Sequence, residues 1–127
     1  MLICLMALLC VLTGCAKEKP LTAQLLGGVY VVKYRHGTET LELQPEGTFT
    51  QRYVSPSQKE PVLNHGKWTI DPSRRLIFLD NALLFDTGRD EPRVPPTRTM
   101  WGLLVLQGAG RIQLPVDPDR ALLFEKQ

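Results

Sequence analysis

A mainly β fold is predicted by three features of the sequence: short runs in which apolar and polar residues alternate, turn residues between those runs at close spacing, and a Pro-Glu-Gly corner inside the clearest alternating stretch. The expected architecture is a single small antiparallel barrel or sandwich of about seven to eight short strands, preceded by an apolar N-terminal segment.

Taken in order, Leu21–Gly28 reads as one helical turn or a short 3₁₀ piece ended by Gly27-Gly28. Val29–Tyr34 follows as a strand in which Tyr30, Val32 and Tyr34 share one face, and Arg35–Glu39 is read as its turn. In Thr40–Val54, Leu41 and Leu43 lie on one face, as do Phe49 and Tyr53 beyond a corner at Pro45-Glu46-Gly47. Pro presets φ for a type I turn and Gly takes the left-handed position, so a hairpin is expected. Ser55–Asn64 is a polar loop, and His65–Ile70 is a strand pointing Trp68 and Ile70 the same way. Asp71–Arg75 turns the chain into the apolar run Leu76–Phe85, which Asp80-Asn81 can divide in two. The prolines of Asp86–Thr99 make that stretch an irregular loop. Met100–Gln127 reads as a set of three strands around Gly108–Gly110 and Asp117–Arg120.

Length and composition bound the reading. The 127 residues hold one domain, and residues 21–127 are long enough to bury roughly 60–70% of their unfolded surface without a metal or disulfide. Fifteen Lys and Arg are interspersed with thirteen acids for a formal charge of +2, which is not the one-sided basic stripe of a nucleic-acid binder. All three cysteines, Cys4, Cys10 and Cys15, precede the predicted domain, which excludes a disulfide framework or a Cys-ligated zinc within it.

Every residue from Met1 to Leu12 is apolar, and the run closes on Thr13-Gly14 before Cys15. A bilayer-crossing helix takes about 20 residues, so the run has the length of a signal-peptide core rather than of a permanent span. Leu12-Thr13-Gly14-Cys15 resembles the lipobox of bacterial lipoproteins, although no Lys or Arg precedes the apolar run. The resemblance implies that residues 1–14 are a signal peptide and that Cys15 is acylated. Residues 15–20 would then be a lipidated Cys with a polar tether, and 21–127 the β-barrel domain. Two or three acyl chains hold a protein on a membrane for practical purposes permanently. With Ala16 after the Cys, the resemblance further implies the inner leaflet of the outer membrane, facing the periplasm.

The order of Gly28-Val29-Tyr30 after a helical turn, the hairpin through Thr48-Phe49, and Gly66-Lys67-Trp68 opening a later strand resembles the small lipocalin-like, or calycin-type, barrels. Lipoproteins of this kind that sense copper or surface adhesion carry an early Cys pair, which is absent here.

Catalytic and metal chemistry find little support. His36 and His65 each precede a Gly in a turn-like setting with no Cys nearby, Ser55, Ser57 and Ser73 lack a nucleophile-elbow context, and Asp71, Asp80 and Asp86 sit where carboxylates form turns. No catalytic residue, metal ligand or cofactor is therefore assigned. Arg89, Arg93 and Arg98 form a candidate partner-binding set, suited to an acidic protein or a lipid headgroup. Tyr30, Phe49, Trp68 and Phe78 are the candidate lining of a ligand cavity. The expectation is a non-enzymatic, lipid-anchored envelope protein that binds a protein partner or helps assemble the envelope. The alternative is a carrier or sensor of a small apolar ligand.

Overall fold

The structure is a computed structural model that describes residues 19–86, 91–92 and 98–127. Its elements run α1 (Ala23–Leu26), β1 (Gly28–Tyr34), β2 (Gly37–Leu43), β3 (Thr48–Val54), β4 (Val62–Asp71), β5 (Leu76–Leu83), β6 (Phe85–Asp86), β7 (Glu91–Pro92), β8 (Arg98–Leu104), β9 (Leu106–Gly108), β10 (Arg111–Asp117), a 3₁₀ turn at Pro118–Arg120, and β11 (Leu122–Lys126). Nine of the strands form one antiparallel sheet in the order β8-β5-β4-β3-β2-β1-β11-β10-β9, and β6 and β7 pair separately. The predicted mainly β class is the observed one, as a curled half-barrel with more strands than expected.

The curl follows from chain connectivity. β8 and β9 are the two edges of the sheet, yet only Val105 separates them in sequence. Consecutive Cα atoms are about 3.8 Å apart, so Leu104 and Leu106 cannot be more than about 7.6 Å apart and the edges must converge. Val105 is buried, and its N–H bonds the Arg75 carbonyl at 2.8 Å, fixing the corner. The Trp101 and Phe124 rings, from β8 and β11, meet with centroids 6.3 Å apart inside the curl.

Alternation decides what fills the interior. Tyr30, Val32, Leu41, Leu43, Phe49, Tyr53, Trp68, Ile77, Leu79, Leu103, Leu114 and Phe124 are all buried in one core. Their strand neighbours face outward, as the period-two pattern requires. Leu21 and Leu26, flanking and ending α1, close one end of this core. The Tyr30 hydroxyl donates to the Leu26 carbonyl at 2.7 Å and Lys126 Nζ donates to the Leu25 carbonyl at 2.7 Å, so the last carbonyls of α1 are satisfied by the strands beneath it.

Several local expectations hold. Thr22 caps α1 through its hydroxyl, the β2–β3 corner has Gly47 at φ 103°, and the Gly47 N–H bonds the Gln44 carbonyl at 3.0 Å. Trp68 Nε1 also donates to that Gln44 carbonyl, at 2.8 Å, tying the corner to β4. Others are corrected. The turn read as Arg35–Glu39 narrows to Arg35-His36, because Gly37, Thr38 and Glu39 pair with β1. Asp80-Asn81 does not divide its strand. Instead the β5–β8 register shifts between Leu79 and Ala82, and Asn81 takes a left-handed φ of 65°. The last part of the chain forms four strands rather than three, the additional one arising at the Val105 corner. The Asp86–Thr99 stretch contributes Asp86 to β6, Glu91–Pro92 to β7, and Arg98 and Thr99 to β8.

Candidate functional site

Opposite α1, the interior changes character. Inward positions that are apolar at the α1 end are taken by Glu39 on β2, Gln51 on β3 and Asn64 on β4, all buried. Their positions follow from parity: Glu39 lies two residues before Leu41, Gln51 two after Phe49, and Asn64 four before Trp68.

These side chains form a continuous chain of hydrogen bonds across the sheet. The Tyr34 hydroxyl donates to Glu39 Oε1 at 2.8 Å, and Gln51 Nε2 donates to Glu39 Oε2 at 3.0 Å. Gln51 Nε2 also donates to the Leu83 carbonyl at 3.1 Å, while its Oε1 accepts from the Leu83 N–H and from Asn64 Nδ2, both at 2.9 Å. Both amide protons of Gln51 and both lone pairs of its oxygen are thus used. Asn64 Nδ2 donates further to the Asn81 carbonyl at 2.7 Å, and Arg98 Nε donates to Asn64 Oδ1 at 3.4 Å.

The bulge at Asn81 makes this possible. It turns the end of β5 over the mouth of the curl, so the Leu83 peptide meets Gln51 from two strands away. Asn81 tolerates the left-handed conformation and donates Nδ2–H to the His65 carbonyl at 3.0 Å. Gly66 is required beside it, because a Cβ there would collide with the Asp80 carbonyl and stand 2.8 Å from the Phe49 ring.

Glu39 has no solvent exposure, and burial pushes its carboxyl up from the ordinary range to about 7, against the lowering effect of the Gln51 and Tyr34 hydrogen bonds. Tyr30, buried at the other end, is driven well above the usual phenol range by the same desolvation. Asp71 is the opposite case. Hydrogen bonds from Ser73 and Arg74 hold this surface carboxylate down at about 2, as expected of a turn former.

Behind Tyr34 the outer surface at this end is concave. A cleft of about 680 Å³ lies between the β1–β2 turn and the chain leaving β3. Its lining includes Lys33, Arg35, His36, Thr38, Ser55 and Ser57, with no carboxylate among the described residues that form it. Ser55 and Ser57 share a hydroxyl–hydroxyl bond of 2.8 Å. A smaller cleft of about 390 Å³ runs between β1 and β11 and includes Lys33 and Glu125.

The residues singled out from sequence fall in different places. Tyr30, Phe49 and Trp68 do share the interior, where they are packed as core. Phe78 is separated from them: it lies between inward Ile77 and Leu79, on the outer face, with the Arg74 guanidinium 5.5 Å above its ring. The four therefore do not line one cavity. Arg98 is exposed and bonded to Asn64, whereas Cys15, Arg89 and Arg93 lie outside the described residues. Among the described residues no group of three or more His, Cys, Asp or Glu is placed to hold a metal ion. No helix of the described residues is long and apolar enough to cross a membrane. Sequence reading missed Glu39, Gln51 and Asn64. Gln51 has inward parity within a strand run, whereas Glu39 and Asn64 end the stretches read as a turn, Arg35–Glu39, and a polar loop, Ser55–Asn64, whose last residues belong to β2 and to β4 from Val62 on.

Fold and site together define a small β half-barrel with an apolar, helix-capped end and a polar end carrying a buried carboxyl and an open basic cleft. No family model matches the chain, and no curated protein or solved structure is significantly similar to it.

Proposed function

We propose that the chain is a non-enzymatic, lipid-anchored bacterial envelope protein whose half-barrel serves as a binding module at its outer surface. The observation that carries this reading is the filled interior. Tyr30, Leu41, Leu43, Phe49, Leu79, Leu103, Leu114 and Phe124 are each about fully buried against one another at the centre of the curl, where a carrier would keep space for an apolar ligand. Binding is then the task of the exterior, and the open cleft beside the β1–β2 turn is the concave surface available for it.

The non-enzymatic part rests on how the reactive groups are committed. Both Glu39 oxygens accept hydrogen bonds from neighbours and the carboxyl is sealed from the cleft, while the cleft hydroxyls of Ser55 and Ser57 bond each other. The anchor rests on the apolar run and on Leu12-Thr13-Gly14-Cys15. Metabolic labelling with a palmitate analogue is expected to mark the full chain in a bacterial host and to fail in Cys15→Ser; an unlabelled wild type would return Cys15 to the class of free thiols. Native mass spectrometry of the purified protein is expected to show no retained apolar molecule, and a stoichiometric one would restore the carrier reading.

A further inference from the structure

We propose that the cleft formed by Lys33, Arg35, His36, Thr38, Ser55 and Ser57 binds a phosphate ester. The inference deepens the binding-module reading by naming the ligand chemistry of its cleft, and it does not depend on the lipid anchor.

Three observations converge on it. First, the charge lining the cleft is one-signed: Lys33 and Arg35, with His36 beside them, make no ion pair or side-chain hydrogen bond among the described residues, and the lining described there contains no carboxylate. In a chain whose Lys and Arg are otherwise mixed with nearly as many acids, that local excess is a property of the site rather than of composition. Secondly, the donors are numerous and arranged on more than one side. Lys33 and Thr38 are cross-strand partners on the outer face, Arg35 and His36 form the turn above them, and Ser55 and Ser57 come from the chain leaving β3. A guanidinium, an ammonium, the Thr38 hydroxyl and the one hydroxyl hydrogen that the Ser55–Ser57 bond leaves free offer more donors than the roughly four lone-pair sites of a carboxylate can accept, whereas the oxygens of a phosphoryl group accept from several sides at once. Thirdly, the volume of about 680 Å³ exceeds what a bare phosphate occupies, and Val54 and Pro56 supply apolar wall beside the cations. The space beside the phosphoryl group accommodates the organic part of an ester.

The neighbouring cleft between β1 and β11 is a poorer site for such a ligand, because Glu125 faces it together with Lys33. Tyr34 connects the favoured cleft to the interior: it lines the cleft and its hydroxyl donates to Glu39. A ligand seated against Tyr34 therefore lies one side chain from the buried carboxyl.

The chemistry is shared by a membrane phospholipid headgroup and by a soluble phosphate ester, and two arms of one experiment separate them. Full-length protein in neutral maltoside micelles is titrated with glycerol 3-phosphate and, as a size control, with inorganic phosphate, by calorimetry. Flotation with phosphatidylcholine vesicles, with and without phosphatidylglycerol, is run in parallel on Cys15→Ser protein so that acyl chains cannot hold it. Saturable binding of glycerol 3-phosphate, tighter than inorganic phosphate, assigns a soluble ester; flotation only with phosphatidylglycerol assigns a headgroup. In either case the Lys33→Ala/Arg35→Ala variant is expected to bind at least tenfold more weakly, with Arg111→Ala, an exposed cation on β10, unchanged. Both variants should keep the thermal midpoint of the parent, since Lys33, Arg35 and Arg111 are exposed. No saturable binding in either arm, or binding that Lys33→Ala/Arg35→Ala leaves intact, overturns the proposal. Failure of Cys15 labelling, by contrast, overturns only the anchor.

Discussion

Glu39 is a carboxyl with no solvent exposure, set at the polar end of the core. An ionised carboxylate in the core is costly, so the native state favours the protonated form, and the Tyr34 hydroxyl can accept from that proton as readily as it donates. The sign of the resulting pH dependence is fixed. With a native value of about 7 against 4.5 for an unperturbed glutamate, the folded protein holds more protons than the unfolded chain between those limits, so stability falls as pH rises through that window. The full difference is about 3 kcal/mol, present below pH 4.5 and lost above pH 7. Urea unfolding of the wild type should show this decline, and Glu39→Gln, which keeps shape and hydrogen-bonding capacity, should flatten it. A Glu39→Gln protein with the same slope would place the titration elsewhere. Gln51 is expected to matter as much for a different reason. Gln51→Leu strands the Leu83 N–H and carbonyl and one contact each from Glu39 and Asn64, and should cost about 2–4 kcal/mol in the same assay.

The elements carry their own constraints, concentrated where β4 and β5 meet. Gly66 leaves room for the Asp80 carbonyl, and Asn81 supplies the left-handed turn that brings Leu83 over the polar end. Gly66→Ala must therefore displace backbone or the buried Phe49 ring and is expected to lower stability by more than about 2 kcal/mol. At Asn81 a β-branched residue is penalised by its positive φ and also loses the bond to the His65 carbonyl. Asn81→Val should thus cost about 2 kcal/mol, and Asn81→Gly distinctly less, measured by denaturant midpoint. If both variants behaved alike, backbone conformation would not be what the position selects. Much of this element level was legible beforehand. The Pro45-Glu46-Gly47 corner and the apolar inward residues of β1 to β4 follow from alternation and turn chemistry. The Asp80-Asn81 bulge was not, since a break and a bulge share the same polar residues and differ only in whether the partner strand continues.

For the whole molecule, the decisive feature is its polarity along the axis. One end is closed by Leu21 and Leu26 over an aromatic and aliphatic core, and the other is held by Tyr34, Glu39, Gln51 and Asn64. Hydrophobic burial supplies most of the stability at the first end. Leu41→Ala or Phe124→Ala, each removing a fully buried side chain, should cost about 3–5 kcal/mol and lower the thermal midpoint accordingly. Polar satisfaction fixes geometry at the second, where the cleft opens beside Tyr34. The four aromatic residues that sequence alone would group as a cavity lining divide for the same reason: Phe78 is out of phase with Ile77 and Leu79, and the other three are needed to fill the core.

The sequence by itself determined the β class, the β2–β3 corner and the apolar inward residues of β1 to β4, because period-two alternation and the φ preferences of Pro and Gly are local properties. The exclusion of Cys-based chemistry from the domain is likewise read directly from where the cysteines lie. Only the tertiary structure decided that the two sheet edges meet at Val105, that Gln51 satisfies the Leu83 peptide from across β4, and that Lys33, Arg35 and His36 share a cleft with Ser55 and Ser57. Each of these joins residues about 20 to 30 or more positions apart in the chain, or depends on curvature that no local pattern encodes. Strand order and curl, set by how the whole sheet closes on its core, are what bring such groups within hydrogen-bonding reach.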